Sequence, residues 1–368
     1  MTVMRWPRIA AAASGALGAL IFSLGIAGPG AAQARAAGAS AHGELIYVAN
    51  LNNDPVTAYA AGSAGSVAPS LRLNNPNVFD TDWDPWGVAF DTRGNLYVQS
   101  FVSSADTFVF PRGAHDDTQP SRIFTGAGQI PDNSSIAVDA QGFEYVLGTY
   151  SGTSLAVYAP GASGAPAASG LSWAVQPVRT LALDGSFNPW PQQLATDGNE
   201  VLAAASRFDP VTFLPDNAIE VFAGGATGGA SPLRIISGPD TGLNCAPCKI
   251  SITSSTGRIY AAVSDLAGAA TRILVFAGNA SGDARPLQTI EGAATGLLGS
   301  AVTGIAVSPC DGTVYAMVKS SGTLGPLLSP ARIDAFARRA NGNSPPLRSF
   351  TDGATGFADA TGIAITSF

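Results

Sequence analysis

Histidine is nearly absent from this sequence, whose 368 residues include only two. His42 precedes the first predicted strand, and His115 lies beside Asp116 and Asp117 in a stretch typical of a solvated turn. No Gly-x-Ser-x-Gly segment marks a serine nucleophile. A Ser-His-Asp triad and a histidine-based metal centre therefore have no recognisable components in this chain.

Charge is also scarce. Asp, Glu, Lys and Arg make up 12% of the chain, and the formal net charge is −7. No stretch concentrates basic side chains, which argues against nucleic acid and anionic lipid headgroups as partners. Low charge, abundant glycine and many short apolar runs without helical heptads indicate an all-β domain with many turns.

The N-terminus has the features of a secretory signal. Two arginines precede the apolar run Ala10–Ala27, and Ala32-Gln33-Ala34 then offers small residues for cleavage. We expect a signal peptide over residues 1–34, a flexible segment over 35–43, and a secreted or periplasmic monomer. The alternative is a retained membrane anchor, which the glycines in the apolar run disfavour. No later segment is apolar and long enough to span a bilayer.

Three cysteines are too few for a disulfide framework. Cys245 and Cys248 are close in sequence, whereas Cys310 stands apart. The simplest interpretation is one small-loop disulfide between Cys245 and Cys248 and a separate thiol. A redox-active or zinc-binding pair is the alternative, but no second Cys-x-x-Cys and no nearby histidine completes a tetrahedral site.

Four short patterns recur in the same order at intervals of roughly 50 to 60 residues, the spacing of propeller blades. Each pattern predicts one strand. The first is small and apolar, as suits a crowded innermost strand. It occurs as Gly87–Asp91, Ser135–Asp139, Gln193–Asp197, Lys249–Ile252, Gly304–Val307 and Gly362–Ile365. The second carries a tyrosine and occurs as Leu96–Val98, Glu144–Val146, Ile259–Ala261 and Val314–Ala316.

The third and fourth patterns complete a four-stranded unit. The third alternates as a half-buried strand should, in Leu155–Tyr158, Ile219–Phe222, Ile273–Phe276 and Ile333–Phe336. The fourth combines proline with a charged or polar residue, in Pro69–Arg72, Pro120–Arg122, Pro177–Arg179, Pro232–Arg234, Pro286–Gln288 and Pro346–Arg348. Proline blocks a ladder hydrogen bond and charge discourages edge pairing, so this strand belongs at the outer edge.

The chain begins and ends inside a unit. Its first strand, Leu45–Val48, has the second pattern, and its last, Gly362–Ile365, has the first. Pairing these two strands completes a blade from both termini and closes the ring. The sequence therefore predicts an all-β, six-bladed β-propeller over residues 44–368, with four antiparallel strands per blade.

This pattern resembles the NHL-type repeat propellers, in which a Gly-Ile-Ala-Val-Asp strand and an Ile-Tyr-Val-Ala strand recur in each blade. The resemblance covers nearly the whole chain after the signal. It implies the fold but no particular activity, because such families include pure binding modules as well as lactonases and lyases. The segments Trp190–Gln193 and Cys245–Lys249 depart from the pattern.

The loops that lead into the innermost strands open around the central channel, where a propeller usually binds its ligand. The residues just before the repeat's glycine position are Trp86, Ser134, Gln192, Cys248, Thr303 and Thr361. The candidate ligand-binding residues are Trp83, Trp86, Ser134, Trp190, Gln192, Thr303 and Thr361. Tryptophans bind sugar faces and apolar ligands, although packing over the blade ends explains them equally well.

Two residues earlier, three consecutive blades carry aspartates: Asp84, Asp132 and Asp359. One hypothesis is that these carboxylates hold a divalent cation such as Ca²⁺. The alternative is that they cap backbone N–H groups in turns and face water. We favour the second interpretation, because no Asp-x-Asp-x-Asp-Gly spacing supports the first.

Three functions are compatible with these observations. The first is a binding or scaffold module whose channel face engages a glycan, a small molecule or a protein. The second is a lactonase-like metal-dependent hydrolase or lyase that uses the three aspartates, although Glu and Asn are absent from the aligned positions. The third is a structural envelope protein without a ligand. The sequence favours the first, because the blades are regular and catalytic residues are scarce.

Overall fold

The computed structural model shows a ring of six small antiparallel sheets, which are the blades of a six-bladed β-propeller. The described residues are 43–51, 54–76, 78–79, 85–100, 106–126, 133–148, 154–164, 174–183, 193–205, 216–245, 248–265, 270–320, 331–354, 357 and 360–366. Within them lie 26 strands and two short 3-10 helices. The predicted fold class is confirmed.

Blades 1 to 3 follow one another along the chain. Blade 1 contains β1 (Leu45–Asn50), β2 (Val56–Ala60) and β4 (Leu71–Leu73); the linker strand β3 (Gly65–Val67), between β2 and β4, joins the sheet of blade 6. Blade 2 contains β5 (Pro85–Phe90), β6 (Leu96–Ser100), β7 (Asp106–Phe110) and β8 (Arg122–Gly126). Blade 3 contains β9 (Asn133–Val138), β10 (Glu144–Gly148), β11 (Ser154–Tyr158) and β13 (Arg179–Ala182); the linker strand β12 (Ala174–Val175), between β11 and β13, joins the sheet of blade 2.

Blades 4 to 6 repeat the arrangement. Blade 4 contains β14 (Leu194–Asp197), β15 (Glu200–Ala205), β16 (Ala218–Ala223) and β17 (Arg234–Ser237). Blade 5 contains β18 (Cys248–Ser255), β19 (Arg258–Asp265), β20 (Thr271–Ala277) and β21 (Gln288–Ile290). Blade 6 contains β22 (Ser300–Val307), β23 (Val314–Ser320), β24 (Ala331–Phe336) and β25 (Arg348–Asp352). The 3-10 helices Pro239–Thr241 and Ala293–Thr295 follow β17 and β21.

The last strand, β26 (Ala360–Thr366), closes the ring as predicted. It pairs antiparallel with β1 and becomes the innermost strand of blade 1, with Val48 opposite Ile363. Strands from the two ends of the described chain thus share one sheet. β1 therefore has a partner on each side, β2 and β26, and does not leave an unpaired edge where the ring closes.

The hydrophobic core is divided among the six interfaces between neighbouring blades, each with its own cluster of buried side chains. Between blades 6 and 1, for example, the Tyr59 ring packs against Phe350 and Phe357, with centroids 5.6 and 5.1 Å away. Each fully buried aromatic side chain contributes about 1.5–3 kcal/mol through removal of apolar surface from water. Because every blade is covered on both faces, middle strands such as β15 contain nearly continuous apolar runs.

Backbone from the next blade covers the outer edge of each blade. The linker strand β12 pairs in parallel with β8, and β3 pairs in parallel with β25. Single bridges repeat this contact in the other four blades, at Leu73–Asp116, Leu181–Gly228, Ile236–Gly282 and Ile290–Gly342. The sequence analysis relied on charge to protect these edges, whereas the structure pairs them with the neighbouring blade.

Arginines of the outer strands also join neighbouring blades. Arg122 donates to the carbonyl of Ala162 in blade 3 at 2.7 Å, and Arg348 donates to the carbonyl of Ala61 in blade 1 at 2.6 Å. Arg348 also donates to the hydroxyl of Tyr315 in its own blade, at 2.7 Å. The charge of the fourth pattern therefore acts as an inter-blade hydrogen-bond donor.

The prolines of the fourth pattern lie outside the strands, which corrects the sequence assignment. β8 begins at Arg122, two residues after Pro120. The intervening N–H of Ser121 donates to the carbonyl of Val109 at 2.8 Å, a bond that proline could not form.

No helix in the described ranges is long and apolar enough to cross a membrane.

Candidate ligand site in the central channel

The innermost strands of all six blades surround a cavity of about 310 Å³ on the axis of the ring. Each blade contributes to its wall, whose exposed surface is more polar than apolar although many of the lining residues are aliphatic. The apolar lining includes Ala89, Ile136, Ala195, Ile252, Ile305 and Ile363. The volume lies at the lower end of the range for small-molecule pockets, about 300–1,000 Å³.

The same repeat position of the innermost strand carries a different residue type on the two sides of the channel. We call the six residues at this position, one from each blade, the channel ring: Gly87, Ser135, Gln193, Lys249, Gly304 and Gly362. Blades 6, 1 and 2 carry glycine there, whereas blades 3, 4 and 5 carry Ser, Gln and Lys. Polar side chains are therefore concentrated on one side of the channel.

The glycines are required by close packing between the innermost strands. A Cβ atom on Gly362 would lie 2.7 Å from the carbonyl oxygen of Trp86, and one on Gly304 would lie 2.7 Å from Cγ2 of Ile363. Neither contact is sterically tolerable. Blades 6 and 1 therefore cannot carry the polar side chains that blades 3 to 5 have at the same position, whereas a Cβ atom on Gly87 in blade 2 would meet its nearest neighbours at 3.3 Å and would need only a small shift.

Lys249 is the one charged residue among those that line this cavity in the described part of the chain. Its Nζ donates to the carbonyl oxygen of Thr303 at 3.2 Å, and Nε2 of Gln193 donates to the same oxygen at 3.3 Å. The strand register skips Thr303 at a β-bulge between Val302 and Gly304. Two donors from different blades thus converge on one carbonyl.

The ammonium of Lys249 lies in an electrostatically unfavourable place. Burial, and then the positive charge of Lys319, lower its pKa to about 8. The side chain retains partial exposure because it faces the channel. Within the described ranges, no carboxylate lies within ion-pair distance of it. Lys249 therefore carries a charge that no acidic group in those ranges neutralises at close range.

Lys249 was not among the predicted site residues, although the composition contains a signal. Lys249 and Lys319 are the only lysines among 19 basic residues, all the others being arginine. Lys319 is buried, and its charge helps to lower the pKa of Lys249. Lys249 occupies the repeat's glycine position itself, whereas the predicted ligand-binding residues lie in the loops before that position.

The residues selected by that alignment coincide with β-bulges in four blades. The register skips Trp86, Ser134, Thr303 and Thr361. Trp86 is partly buried and lines the cavity, as does Thr361. The Thr361 hydroxyl is 2.9 Å from the carbonyl of Pro85 and 3.2 Å from that of Ala49. The Thr303 hydroxyl is buried, 3.5 Å from the carbonyl of Met317.

Several predicted site residues lie outside the described residues: Trp83, Trp190, Gln192, Asp84, Asp132 and Asp359, together with the side chain of Ser134. In the ranges that are described, no three His, Cys, Asp or Glu side chains lie together as metal ligands. The hypothesis of a cation held by the three aspartates remains a prediction.

Cys245 and Cys248 are joined by a disulfide with their Cα atoms 5.6 Å apart. Cys248 begins β18 and directly precedes Lys249. The amide of Asn217 donates to the carbonyl of Cys245 at 3.0 Å and lies 3.0 Å from the sulfur of Cys248. These contacts fix the start of the strand that presents Lys249. The thiol of Cys310 is exposed in the turn between β22 and β23.

Comparison with known proteins supports the fold and gives no function. No family model and no curated protein matches the chain. Among solved structures, the chain is similar to a protein of unknown function from Bacteroides caccae, with a TM-score of 0.54 and 10% identity over 88% of this chain and 98% of that one. It is also similar to the Dos1 propeller, with a TM-score of 0.43 and 9% identity over 84% of this chain and 72% of that one. Identities this low extend to the fold alone.

Proposed function

We propose that this protein is an exported binding module that holds a small ligand in the central channel of its propeller. The observation that carries the proposal is the polar half of the channel ring, where Lys249 lines the central cavity and its ammonium donates to the Thr303 carbonyl. A channel that served only packing would be filled by apolar side chains, because an ion in such a place is costly.

The cost of keeping Lys249 there supports a functional role. Its depressed pKa shows that the surroundings disfavour the charged form. At the same position three other blades have glycine and one has serine, so the repeat does not require a cation there. A few polar side chains that converge on one cavity are typical of ligand sites.

Export and family relationship are part of the same proposal. The arginines and apolar run of residues 1–34 support export, and a disulfide between Cys245 and Cys248 is compatible with an oxidising compartment. The recurring Gly-Ile-Ala-Val and Ile-Tyr-Val strands support a relationship to NHL-type propellers. A glycan or protein would use Trp86 at the channel mouth, whereas a lactonase-like activity would depend on Asp84, Asp132 and Asp359.

A ligand screen with two matched variants tests the proposal. Thr253 lines the cavity on β18, so Thr253→Trp places a large side chain in the channel. Leu233 is 59% exposed on the outer rim, so Leu233→Trp adds the same side chain elsewhere. We expect compounds that raise the melting temperature of the wild type to lose their effect in Thr253→Trp and keep it in Leu233→Trp. Hits unaffected by Thr253→Trp, or a screen of neutral sugars, amines and acids without any hit, would overturn it.

A further inference from the structure

We infer that the channel ring forms an anion site centred on Lys249 and Gln193, and that its ligand is a small monocarboxylate. This inference rests on the proposed function and names the ligand class of the same site. Three features support it: the geometry of the donors, the local charge and the single positive charge of the lining.

The donors converge on one point. Lys249 Nζ and Gln193 Nε2 each lie within 3.3 Å of the Thr303 carbonyl oxygen, so they cannot be farther apart than twice that distance. The ammonium has three protons and the amide has two, and the carbonyl takes one from each. Protons therefore remain on both nitrogens for the two oxygens of one carboxylate.

The local charge favours an anion although the chain as a whole is acidic, with a net charge of −7. Lys249 and Lys319 lie close enough for each to disfavour the other's charge. None of the acidic side chains in the described ranges forms an ion pair with Lys249. A bound carboxylate would supply the missing countercharge in a site where low polarity strengthens the attraction.

The charge of the lining selects the kind of anion. Lys249 is the single charged group among the described lining residues of the cavity, so the site offers one positive charge. A phosphate dianion or a sulfate would bring a second negative charge and would lose hydration on all its oxygens. A carboxylate brings one charge and two oxygens, which the ammonium and the amide can bind together.

Calorimetric titration with hexanoate, hexanamide and inorganic phosphate tests this assignment. Lys249→Met removes the ammonium and keeps the side-chain length. Arg285→Met is the matched control, because it makes the same change in net charge at a side chain that is 80% exposed. We expect hexanoate to bind the wild type and Arg285→Met with equal affinity. Its affinity for Lys249→Met should be at least tenfold lower. Hexanamide and phosphate should bind the wild type at least tenfold more weakly than hexanoate.

The pH dependence provides a second measurement on the unaltered protein. Hexanoate keeps its charge above about pH 6, whereas Lys249 loses its own as the pH rises through and beyond its folded pKa of about 8. Affinity should therefore fall at least tenfold between about pH 7 and pH 10 in the wild type and stay constant in Lys249→Met. Isotope labelling of lysine gives only two side-chain NMR signals to follow, and hexanoate should raise the pKa of Lys249.

The outcomes separate this inference from the proposed function. Neutral ligands that Thr253→Trp excludes, combined with no effect of hexanoate on Lys249, would overturn the anion site and leave a binding channel. Equal affinity of hexanoate for Lys249→Met and Arg285→Met would also overturn the anion site and leave a binding channel. Phosphate binding as tightly as hexanoate would overturn the choice of monocarboxylate. Failure of every ligand class in the wild type would overturn both proposals.

Discussion

Arg122 in blade 2 and Glu144 in blade 3 form an ion pair across the blade interface, with Nη2 3.0 Å from Oε1. The Glu144 side chain is completely buried, and Arg122 also donates to the Tyr97 hydroxyl at 2.8 Å. Burial raises the pKa of Glu144 to about 7, although Arg122 opposes the shift. This contact between two blades therefore titrates near neutral pH.

The Glu144 carboxyl should make stability fall as the pH rises toward neutrality. The unfolded chain releases this proton near 4.5 and the folded protein near 7. Between these values the folded state binds more protons, so the free energy of unfolding decreases with increasing pH. We expect a decrease of up to about 3 kcal/mol from this group, and Glu144→Gln should remove most of it. Urea unfolding at several pH values between about 5 and 8 measures the slope.

Glu200 offers a matched control with the opposite sign. Arg234 binds it through two hydrogen bonds of 2.6 Å and lowers its pKa. Its contribution is therefore present at neutral pH and is lost as the pH falls through the lowered pKa. Glu200→Gln should weaken the protein at pH 7 and preserve the slope assigned to Glu144. Identical pH profiles for wild type and Glu144→Gln would contradict the assignment.

Lys249→Met should stabilise the protein at neutral pH by about 1–3 kcal/mol, because it removes a desolvated charge that no carboxylate in the described ranges pairs with. The pKa of Lys249 is lowered, so the unfolded state binds more protons between about pH 8 and 10.5. Wild-type stability should therefore rise with pH in that range, and the variant should lack this rise. Thermal and urea melts at about pH 7 and pH 10 check both effects. A clear loss of stability would show that Lys249 is a structural donor to Thr303.

Arg348→Met should destabilise the closure of the ring. The guanidinium donates to the Ala61 carbonyl across the interface between blades 6 and 1 at 2.6 Å, and to the Tyr315 hydroxyl of its own blade at 2.7 Å. Loss of these charge-assisted bonds should cost about 2–3 kcal/mol. The exposed Arg285→Met should change stability by less than about 0.5 kcal/mol. Equal urea midpoints for the two variants would show that the hydrogen bonds of Arg348 do not contribute to stability.

Metal removal tests the interpretation of Asp84, Asp132 and Asp359 as turn-capping residues. That interpretation predicts no stoichiometric metal in the purified protein and the same melting temperature with and without EDTA. A bound divalent cation with a chelator-sensitive melt would instead favour the lactonase-like hypothesis. Asp84→Ala should then lower the metal content.

Much of the architecture could be predicted because it depends on local repetition. The six small apolar strands and their tyrosine-bearing partners recur in register with the blades, so the number of blades follows from counting. The mismatched ends, at Leu45 and Ile365, predicted the pairing of β1 with β26 that the structure contains. The aligned loop positions included Trp86 and Thr361, which line the channel cavity, and Thr303, which is buried and is not among its described lining residues. The alignment did not show that the two threonine hydroxyls lie against backbone carbonyls.

Contacts between residues far apart in the chain were decided only by the tertiary structure. Gln193 and Lys249 meet at the carbonyl of Thr303, which is 110 and 54 residues away. No local pattern specifies that meeting, because it depends on the curvature of the ring and on a bulge that turns one carbonyl. The linker strands β3 and β12 likewise pair with the preceding blade, and no alternation of apolar and polar residues predicted them.

Sequence determined which strands form and in what order, since each blade's strands follow from local periodicity. The folded ring determined which side chains share the channel, since that requires all six blades to be in place.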